Sequence, residues 1–406
     1  MGHEEPPSWT ASPAHERQNM KLRRAALLRT LIYVACLRRK RPKTKPYKKC
    51  AIFKLDALGD SVLALGAIQS ITRHFGEENC VLVCWHKVKE FMAPRFPAME
   101  IVGAQAFTNL FDTLLYLRSV KQHSIFSEGV GLLISLRHHR SMHHDLILSA
   151  IPAETTVGAP DTPLSDFEND LIKKSLVRFD RLSKPISENG SDKCKELSMH
   201  SAVISCALGT NITPEAIVPC ITCAASANNT GPKLVVTPFT GSAVRDISTA
   251  QLQEILSAVS KQCDVESVIV SSAADRNRSE RMAAVLRAKG LLRVSSICTE
   301  SLQQFIQILA DATAVLTADS APAHLATALD KPTVALIGGG QPGWFGYWRR
   351  SEKQVWLDHH VPCYGCNWYC IYNEAICITG ISAKLAAAEI VRRLPVPTSG
   401  VEISYN

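Results

Sequence analysis

The chain has 406 residues, of which 20% are charged and 46% hydrophobic, a balance typical of globular proteins and sufficient for two domains. Its net charge of +8 is concentrated, because residues 20–50 hold twelve Lys and Arg and no acid, whereas the remainder has 33 basic and 37 acidic residues. The basicity belongs to an N-terminal arm, and no recognised nucleic-acid-reading module follows it, which argues against a nucleic-acid-binding protein.

Residues 1–48 are predicted to form an arm outside the globular body. The first 19 residues have the composition of a disordered segment. The apolar stretch 25–37 is too short to span a bilayer and is interrupted by Arg29. Its cationic flanks favour contact of residues 20–49 with an anionic membrane surface, and the alternative is a basic leader without a partner.

Alternating strands and helices begin at residue 49. Apolar runs predict strands at 49–54, 80–85, 99–104 and 131–136, and helical periodicity predicts helices over 61–75 and 196–209. Unbroken apolar strands that alternate with helices indicate a parallel sheet covered on both faces. We therefore predict an N-terminal Rossmann-like domain over 49–210, followed by a linker over 211–232.

The same alternation restarts after the linker. Strands are predicted at 233–238, 267–272, 313–318 and 332–338, and helices at 248–262, 278–290, 301–312, 321–330 and 381–394. This pattern predicts a second Rossmann-like domain over 233–394, a tail over 395–406, and an α/β architecture with a cleft between the domains. Ligands of such sheets bind outside the carboxyl ends of the strands, so the functional loops should follow Lys54, Pro238, Ser272 and Ala318.

Those loops carry side chains suited to a phosphorylated ligand. Asp319 and Ser320 stand where a helix begins, and the unpaired N–H groups there favour a phosphate, with simple helix capping as the alternative. Arg245 has the fork geometry for phosphate oxygens, and Asp275 either binds a ribose hydroxyl or begins a helix. His324 lies one turn into its helix, where it packs or contacts a ligand. No dinucleotide fingerprint or Walker A motif is present, which argues against a dehydrogenase or a P-loop enzyme.

Four stretches share a pattern with one enzyme family: "LTADSAPAHLATALDKPTVALIG" (316–338), "FKLDALGDSVLALGAIQSITRHFG" (53–76), "GVGLLISLRHHRS" (129–141) and "GSAVRDISTAQLQEIL" (241–256). Taken in chain order, they resemble glycosyltransferase family 9, the ADP-heptose:lipopolysaccharide heptosyltransferases, over roughly residues 49–393. The resemblance implies a GT-B fold with an acceptor domain first and a donor domain second. It also implies inverting transfer of a sugar, heptose in the best-known members, from a nucleotide diphosphate without an obligatory metal.

The resemblance carries over to individual residues. Asp60 matches the carboxylate taken as general base, which accepts the proton of the attacking hydroxyl. The donor and its phosphates are assigned to Lys54, Thr240, Arg245, Asp275, Asp319, Ser320, Ala321 and His324. Ala321 stands where the family usually has glycine. On the acceptor side, a basic stretch after the 131–136 strand offers Arg137, His138 and Arg140 to an acidic acceptor such as a phosphorylated core sugar.

A cysteine cluster lies near the C-terminus. Cys363, Cys366, Cys370 and Cys377 follow the spacing C-x2-C-x3-C-x6-C, which is close to metal-ligand spacing. Four thiolates would suit a structural zinc ion or an iron–sulfur cluster. The alternative is a reduced, partly buried loop.

The sequence as a whole predicts a heptosyltransferase-type glycosyltransferase. We expect it at the cytoplasmic face of a bacterial inner membrane, peripherally bound, with a lipid-linked or phosphorylated glycan as acceptor. The alternative is a catalytically silent relative that binds nucleotide or glycan in envelope assembly. A more distant alternative is a nucleotide-sugar epimerase on the same fold.

Overall fold

The computed structural model describes residues 41–42, 45–105, 110–137, 142–160, 179–184, 194–224, 226, 231–340, 343–346, 348–349, 351–366, 368, 370–372 and 374–395. These residues form two parallel β-sheets with helices between the strands. Residues 1–40 lie outside the described residues, so the disorder and the membrane contact assigned to them stay predictions.

The first sheet has six parallel strands in the order β3-β2-β1-β4-β5-β6. Its central strand is the apolar run "KKCAIFK", whose residues 50–54 are buried, as expected for a strand covered on both faces. The strands are β1 (Lys48–Lys54), β2 (Cys80–Trp85), β3 (Glu100–Ala104), β4 (Val130–Ser135), β5 (Ala153–Gly158) and β6 (Arg181–Leu182). The helices are α1 (Leu58–Leu63), α2 (Leu65–Phe75), α3 (Lys89–Met92), α4 (Leu110–Ser119), α5 (Ser124–Ser127), α6 (Met142–Ala150) and α7 (Lys195–Leu208).

The second sheet also has six parallel strands, in the order β12-β11-β10-β7-β8-β9. The strands are β7 (Lys233–Thr237), β8 (Glu266–Ser272), β9 (Val294–Thr299), β10 (Ala314–Ala318), β11 (Thr333–Leu336) and β12 (Gln354–Leu357). The helices are α8 (Thr249–Ser260), α9 (Arg276–Ala288), α10 (Leu302–Asp311), α11 (Ala321–Ala328), α12 (Ile376–Thr379) and α13 (Ala383–Arg393). Counted in chain order within its own half, each sheet has the doubly wound order 3-2-1-4-5-6.

The predicted α/β architecture is confirmed, and the eight predicted strands all exist within two residues of their predicted limits. The helix predicted over 61–75 is wrong as one helix, because α1 ends at Leu63 and α2 begins at Leu65. Strands β5, β6, β9 and β12 were not predicted. The domain limits stay predictions.

Two glycines allow close approach between elements on which the cleft depends. A Cβ on Gly66 of α2 would lie 2.0 Å from the carbonyl oxygen of Ile217, so only glycine fits there. A Cβ on Gly59 of α1 would lie 3.0 Å from Cδ2 of His324 and 3.5 Å from Cα of Ala321. The start of α1 therefore lies directly against the start of α11, which joins the two halves at the carboxyl ends of their sheets.

The structure was also searched for membrane-spanning helices. Within the described part of the chain, none combines the length and the apolar character that crossing a bilayer requires.

Candidate active site between the two sheets

A cavity of about 1050 Å³ opens where the carboxyl ends of the two sheets meet. Loops after β1, β4, β7, β8, β9 and β10 all contribute to its lining, which is the position expected for ligands of doubly wound sheets. Nine of the predicted site residues line it: Asp60, Arg137, Thr240, Arg245, Asp275, Asp319, Ser320, Ala321 and His324. His138 and Arg140 lie outside the described residues.

Lys54 differs from its prediction. Its side chain is fully buried, and its ammonium lies 2.6 Å from Glu196 Oε1 and 3.0 Å from Asp56 Oδ2, while it donates to the carbonyl of Leu136 at 2.9 Å. Burial alone would lower the pKa of Lys54, but the two carboxylates outweigh burial and raise it. Lys54 is absent from the cavity lining. Its assignment to the donor diphosphate is therefore corrected, and it is an internal counter-ion beneath the site.

Asp56, in the loop after β1, lines the cavity on the side of the first sheet. Its Oδ1 lies 2.9 Å from Nη2 of Arg137, and its Oδ2 lies 3.0 Å from the Lys54 ammonium. Arg137 also donates to the carbonyl of Leu55 at 2.9 Å. The predicted acceptor-side arginine is thus held rigidly at the cavity wall by the loop that carries Asp56.

Glu196 and His200 complete the buried charge cluster below this loop. They are one turn apart on α7, with Glu196 Oε1 3.2 Å from His200 Nε2. Burial, and then the charge of Lys54, lower the pKa of His200, which keeps the ring neutral at physiological pH. A glutamate and a histidine four residues apart in a predicted helix were the sequence signal for this cluster.

Asp60 lies in the first turn of α1, at the edge of the cavity. The N-cap position belongs to Ala57, and a carboxylate in the first turn is favoured by the partial positive charge of the helix N-terminus. The negative charge of Asp60 also contributes to the raised pKa of Lys54, so the two groups interact electrostatically. The position of Asp60 therefore serves the helix and leaves its carboxylate on the cavity wall.

The second half presents a cation, Arg245, at the start of α11. Arg245 follows β7 in a short 3₁₀ turn and donates through Nη1 to the carbonyl of Asp319 at 3.0 Å. Its guanidinium lies 5.1 Å from the ring centroid of Trp368, which also lines the cavity. Thr240 shapes the same loop, because its backbone N–H donates to Asp246 Oδ1 at 2.7 Å. These contacts fix the position of the positive charge.

The turn that leads into α11 adjoins that arginine and consists of Asp319, Ser320 and Ala321. Ser320 is the N-cap residue but makes no side-chain capping bond, so the capping alternative does not apply to it. Asp319 Oδ2 accepts the N–H of Gly338 at 3.2 Å, and burial raises the pKa of this carboxyl to about 6. Pro322 brings no N–H to this turn. Arg245 and the first turn of α11 together form a site suited to an anion.

Asp275 lies across the cavity at the N-cap of α9. Its Oδ1 accepts from Arg278 at 2.7 Å, and its Oδ2 accepts from the Ser272 hydroxyl at 3.3 Å. Arg278 also pairs with Asp246 and lies over the ring of Phe239, 4.4 Å from its centroid. Asp275 thus both begins a helix and faces the cavity. The two interpretations from the sequence, helix start and contact with a ribose hydroxyl, are therefore compatible.

The cysteine cluster does not form a metal site in this structure. Cys363, Cys366, Cys370 and Cys377 are all free thiols. Burial, with a smaller effect from the other three cysteines, raises the pKa of Cys377. Among the residues that the structure describes, no three His, Cys, Asp or Glu side chains are placed to bind a metal ion. The geometry does not fit the predicted zinc or iron–sulfur cluster.

Comparison with known proteins relates this geometry to one family. The family model "Glycosyltransferase family 9 (heptosyltransferase)" matches residues 221–369, which cover the second sheet and its cavity loops. Lipopolysaccharide heptosyltransferase 1 of Pseudomonas aeruginosa is 32% identical over 141 residues, which are 31% of this chain and 38% of the relative. The match thus spans well under half the length of that curated relative.

Solved structures resemble the chain over a larger part of its length. The E. coli ADP-heptose lipopolysaccharide heptosyltransferase II superposes with a TM-score of 0.60 at 15% identity, over 85% of this chain and 98% of that one. An E. coli heptosyltransferase solved with ADP-2-deoxy-2-fluoro heptose gives a TM-score of 0.53 at 14% identity, over 76% and 92% of the two chains. At this identity the likeness shows the fold, which is GT-B as predicted. Over residues 221–369 the chain is therefore similar to glycosyltransferase family 9, and its fold is that of the solved heptosyltransferases.

Proposed function

We propose that the protein is an inverting glycosyltransferase that moves a sugar from a nucleotide diphosphate donor to a lipopolysaccharide-core or related glycan acceptor. The observation that carries this proposal is the single cavity that joins Asp60 of the first half to Arg245 and the start of α11 in the second half. A carboxylate facing an anion site across one cavity is the arrangement that transfer from a sugar diphosphate requires.

The proposed reaction assigns a role to each of these positions. The acceptor hydroxyl oxygen attacks the anomeric carbon while Asp60 takes the hydroxyl proton. The bond between the anomeric carbon and the diphosphate oxygen breaks on the opposite face, which inverts the configuration. The departing diphosphate carries the negative charge of the broken bond. Arg245 and the N–H groups at the start of α11 stabilise that charge, so the protein's own groups supply the electrostatic stabilisation.

ADP-heptose is the proposed donor, and the acceptor is proposed to be lipid-linked or phosphorylated. The bound ligand of the E. coli neighbour is an ADP-heptose analogue, and the curated relative is named for lipopolysaccharide. Arg137, held at the acceptor wall by Asp56, offers a positive charge to an acidic acceptor. We place the protein at the cytoplasmic face of the inner membrane, where a lipid-linked acceptor would be met and where residues 20–49 would contact anionic lipid.

A thermal-shift panel tests the donor assignment. Purified protein is heated with ADP, UDP, GDP or ADP-heptose, and ligands that bind the folded state raise the melting temperature. We expect ADP and ADP-heptose to stabilise the protein and UDP and GDP to do so less. Arg245→Met should reduce the stabilisation by ADP, whereas Arg293→Met, which removes an exposed arginine outside the cavity lining, should not. If no nucleotide stabilises the protein, the proposed function is wrong.

A further inference from the structure

His324 is held by an indole at one edge of its ring. It is the fourth residue of α11, and its Nδ1 accepts the Nε1–H of Trp348 at 3.1 Å. The planes of the two rings are inclined by 22°, and their centroids are 6.4 Å apart. Both side chains are buried, at 5% and 6% exposure, so water does not compete for this hydrogen bond.

This hydrogen bond determines which imidazole nitrogen carries the proton. An indole nitrogen donates and cannot accept, so Nδ1 of His324 must be the bare nitrogen. The proton of a neutral ring then lies on Nε2. Burial lowers the pKa of His324 to about 4, and the opposing effect of the Glu196 charge is smaller, so the ring is neutral at physiological pH.

The opposite edge of the ring faces the junction of the two halves. An ideal Cβ on Gly59 would lie 3.0 Å from Cδ2 of His324 and 3.7 Å from Nε2, and Asp60 is the next residue along the chain. His324 lines the cavity. Among the described residues, Trp348 is the one hydrogen-bonding partner of the His324 side chain. The Nε2–H is thus available to a molecule in the cavity.

We propose that Trp348 is a positioning residue that holds His324 in its Nε2–H tautomer, so that the ring presents one neutral N–H donor to an oxygen of the bound sugar diphosphate. The ligand in this statement rests on the proposed function, whereas the tautomer is a property of the ligand-free protein. A neutral donor has a chemical advantage at this position. An imidazolium near the start of α1 would attract the Asp60 carboxylate and make it a weaker base.

The tautomer can be read directly by nuclear magnetic resonance. Long-range proton–nitrogen correlation of the ¹⁵N-labelled full chain distinguishes a protonated from a bare ring nitrogen, and the His324 signals are those that vanish in His324→Gln. In the wild type we expect a bare Nδ1 and a protonated Nε2 between pH 6 and pH 8. Adding ADP should shift the Nε2–H signal.

Trp348→Phe keeps an aromatic ring but removes the donor. We expect the second tautomer to appear in its spectrum and kcat/KM for ADP-heptose to fall about fivefold, as for the loss of one hydrogen bond of about 1 kcal/mol. Trp356→Phe is the matched control, because the Trp356 ring contacts His324 with centroids 5.6 Å apart in a tilted arrangement. That variant should keep the wild-type tautomer.

Two results would overturn the proposal. One is a protonated Nδ1 in the wild type. This measurement does not depend on a variant, so it tests the proposal even if Trp348→Phe fails to fold. The other is a folded Trp348→Phe protein with an unchanged tautomer and unchanged kinetics. If the predicted tautomer is present but no nucleotide binds and no sugar is transferred, the proposed function fails while the role of Trp348 in setting the tautomer stands.

Discussion

Replacing Lys54 with Met tests whether this residue is an internal counter-ion or a ligand of the donor diphosphate. Lys54 and Glu196 are both fully buried, and their charged atoms are 2.6 Å apart. Removing the ammonium leaves Asp56 paired with Arg137, so the unbalanced charge falls on Glu196. Breaking a buried pair by deleting one partner costs about 3–5 kcal/mol of unfolding free energy.

The double variant Lys54→Met/Glu196→Gln separates the charge from the packing. Because the glutamine is neutral, we expect it to recover about half of the lost stability or more, since a buried pair replaced as a whole is often close to neutral. Lys121→Met makes the same chemical change at an exposed position and should alter stability by less than about 0.5 kcal/mol.

The assay is urea unfolding followed by circular dichroism, together with ADP affinity measured by calorimetry on the folded variants. We expect Lys54→Met to unfold at much lower urea concentration while its ADP dissociation constant changes by less than about threefold, or about 0.7 kcal/mol. The reasoning is refuted if Lys54→Met keeps its stability within about 1 kcal/mol and loses ADP affinity tenfold or more, as for a lost charged contact to phosphate.

Two further predictions concern Asp319 in the second half and the packing around Gly66. The raised pKa of Asp319, about 6 against an ordinary 3.8, means that the fold favours its protonated form, so the carboxyl loses its negative charge as pH falls through about 6. Calorimetry should therefore find ADP affinity rising from pH 7.5 to pH 5.5 more steeply in the wild type than in Asp319→Asn, and parallel profiles would contradict the assignment. Gly66→Ala should lower the free energy of unfolding by about 1–3 kcal/mol, because its Cβ would overlap the Ile217 carbonyl. Gly241→Ala adds a carbon in open space and should leave the free energy of unfolding unchanged. Equal effects of the two substitutions would contradict the packing argument.

The sheets were predictable because buried parallel strands are continuous apolar runs. β2 was predicted at its observed limits, since "CVLVCW" is apolar throughout. β9 was missed because "VSSICT" is half-exposed and rich in serine, and β5 because "AETTVG" contains only two strongly apolar positions. The break between α1 and α2 was missed because apolar residues continue across Ala64 without a Gly or Pro signal.

The candidate site was predictable where a motif follows a strand and not where contacts come from distant parts of the chain. Asp60, Arg245 and Asp319 line the cavity because each follows a strand that ends at it. The burial of the Lys54 side chain depends on its ion pair with Glu196, which is 142 residues away in the sequence. The partner of His324, Trp348, comes from an irregular segment with no periodicity to predict its direction.

The most direct test of the account is the transfer rate of Asp60→Asn. Release of ADP from ADP-heptose is measured with a core-oligosaccharide acceptor, beside ADP affinity for the same protein. We predict a fall in kcat of about 10²–10⁴-fold, as for the loss of a general base, with ADP affinity unchanged. Asp264→Asn, at a carboxylate that is 81% exposed and outside the cavity lining, should transfer at the wild-type rate. An Asp60→Asn protein that transfers sugar at the wild-type rate would contradict the account.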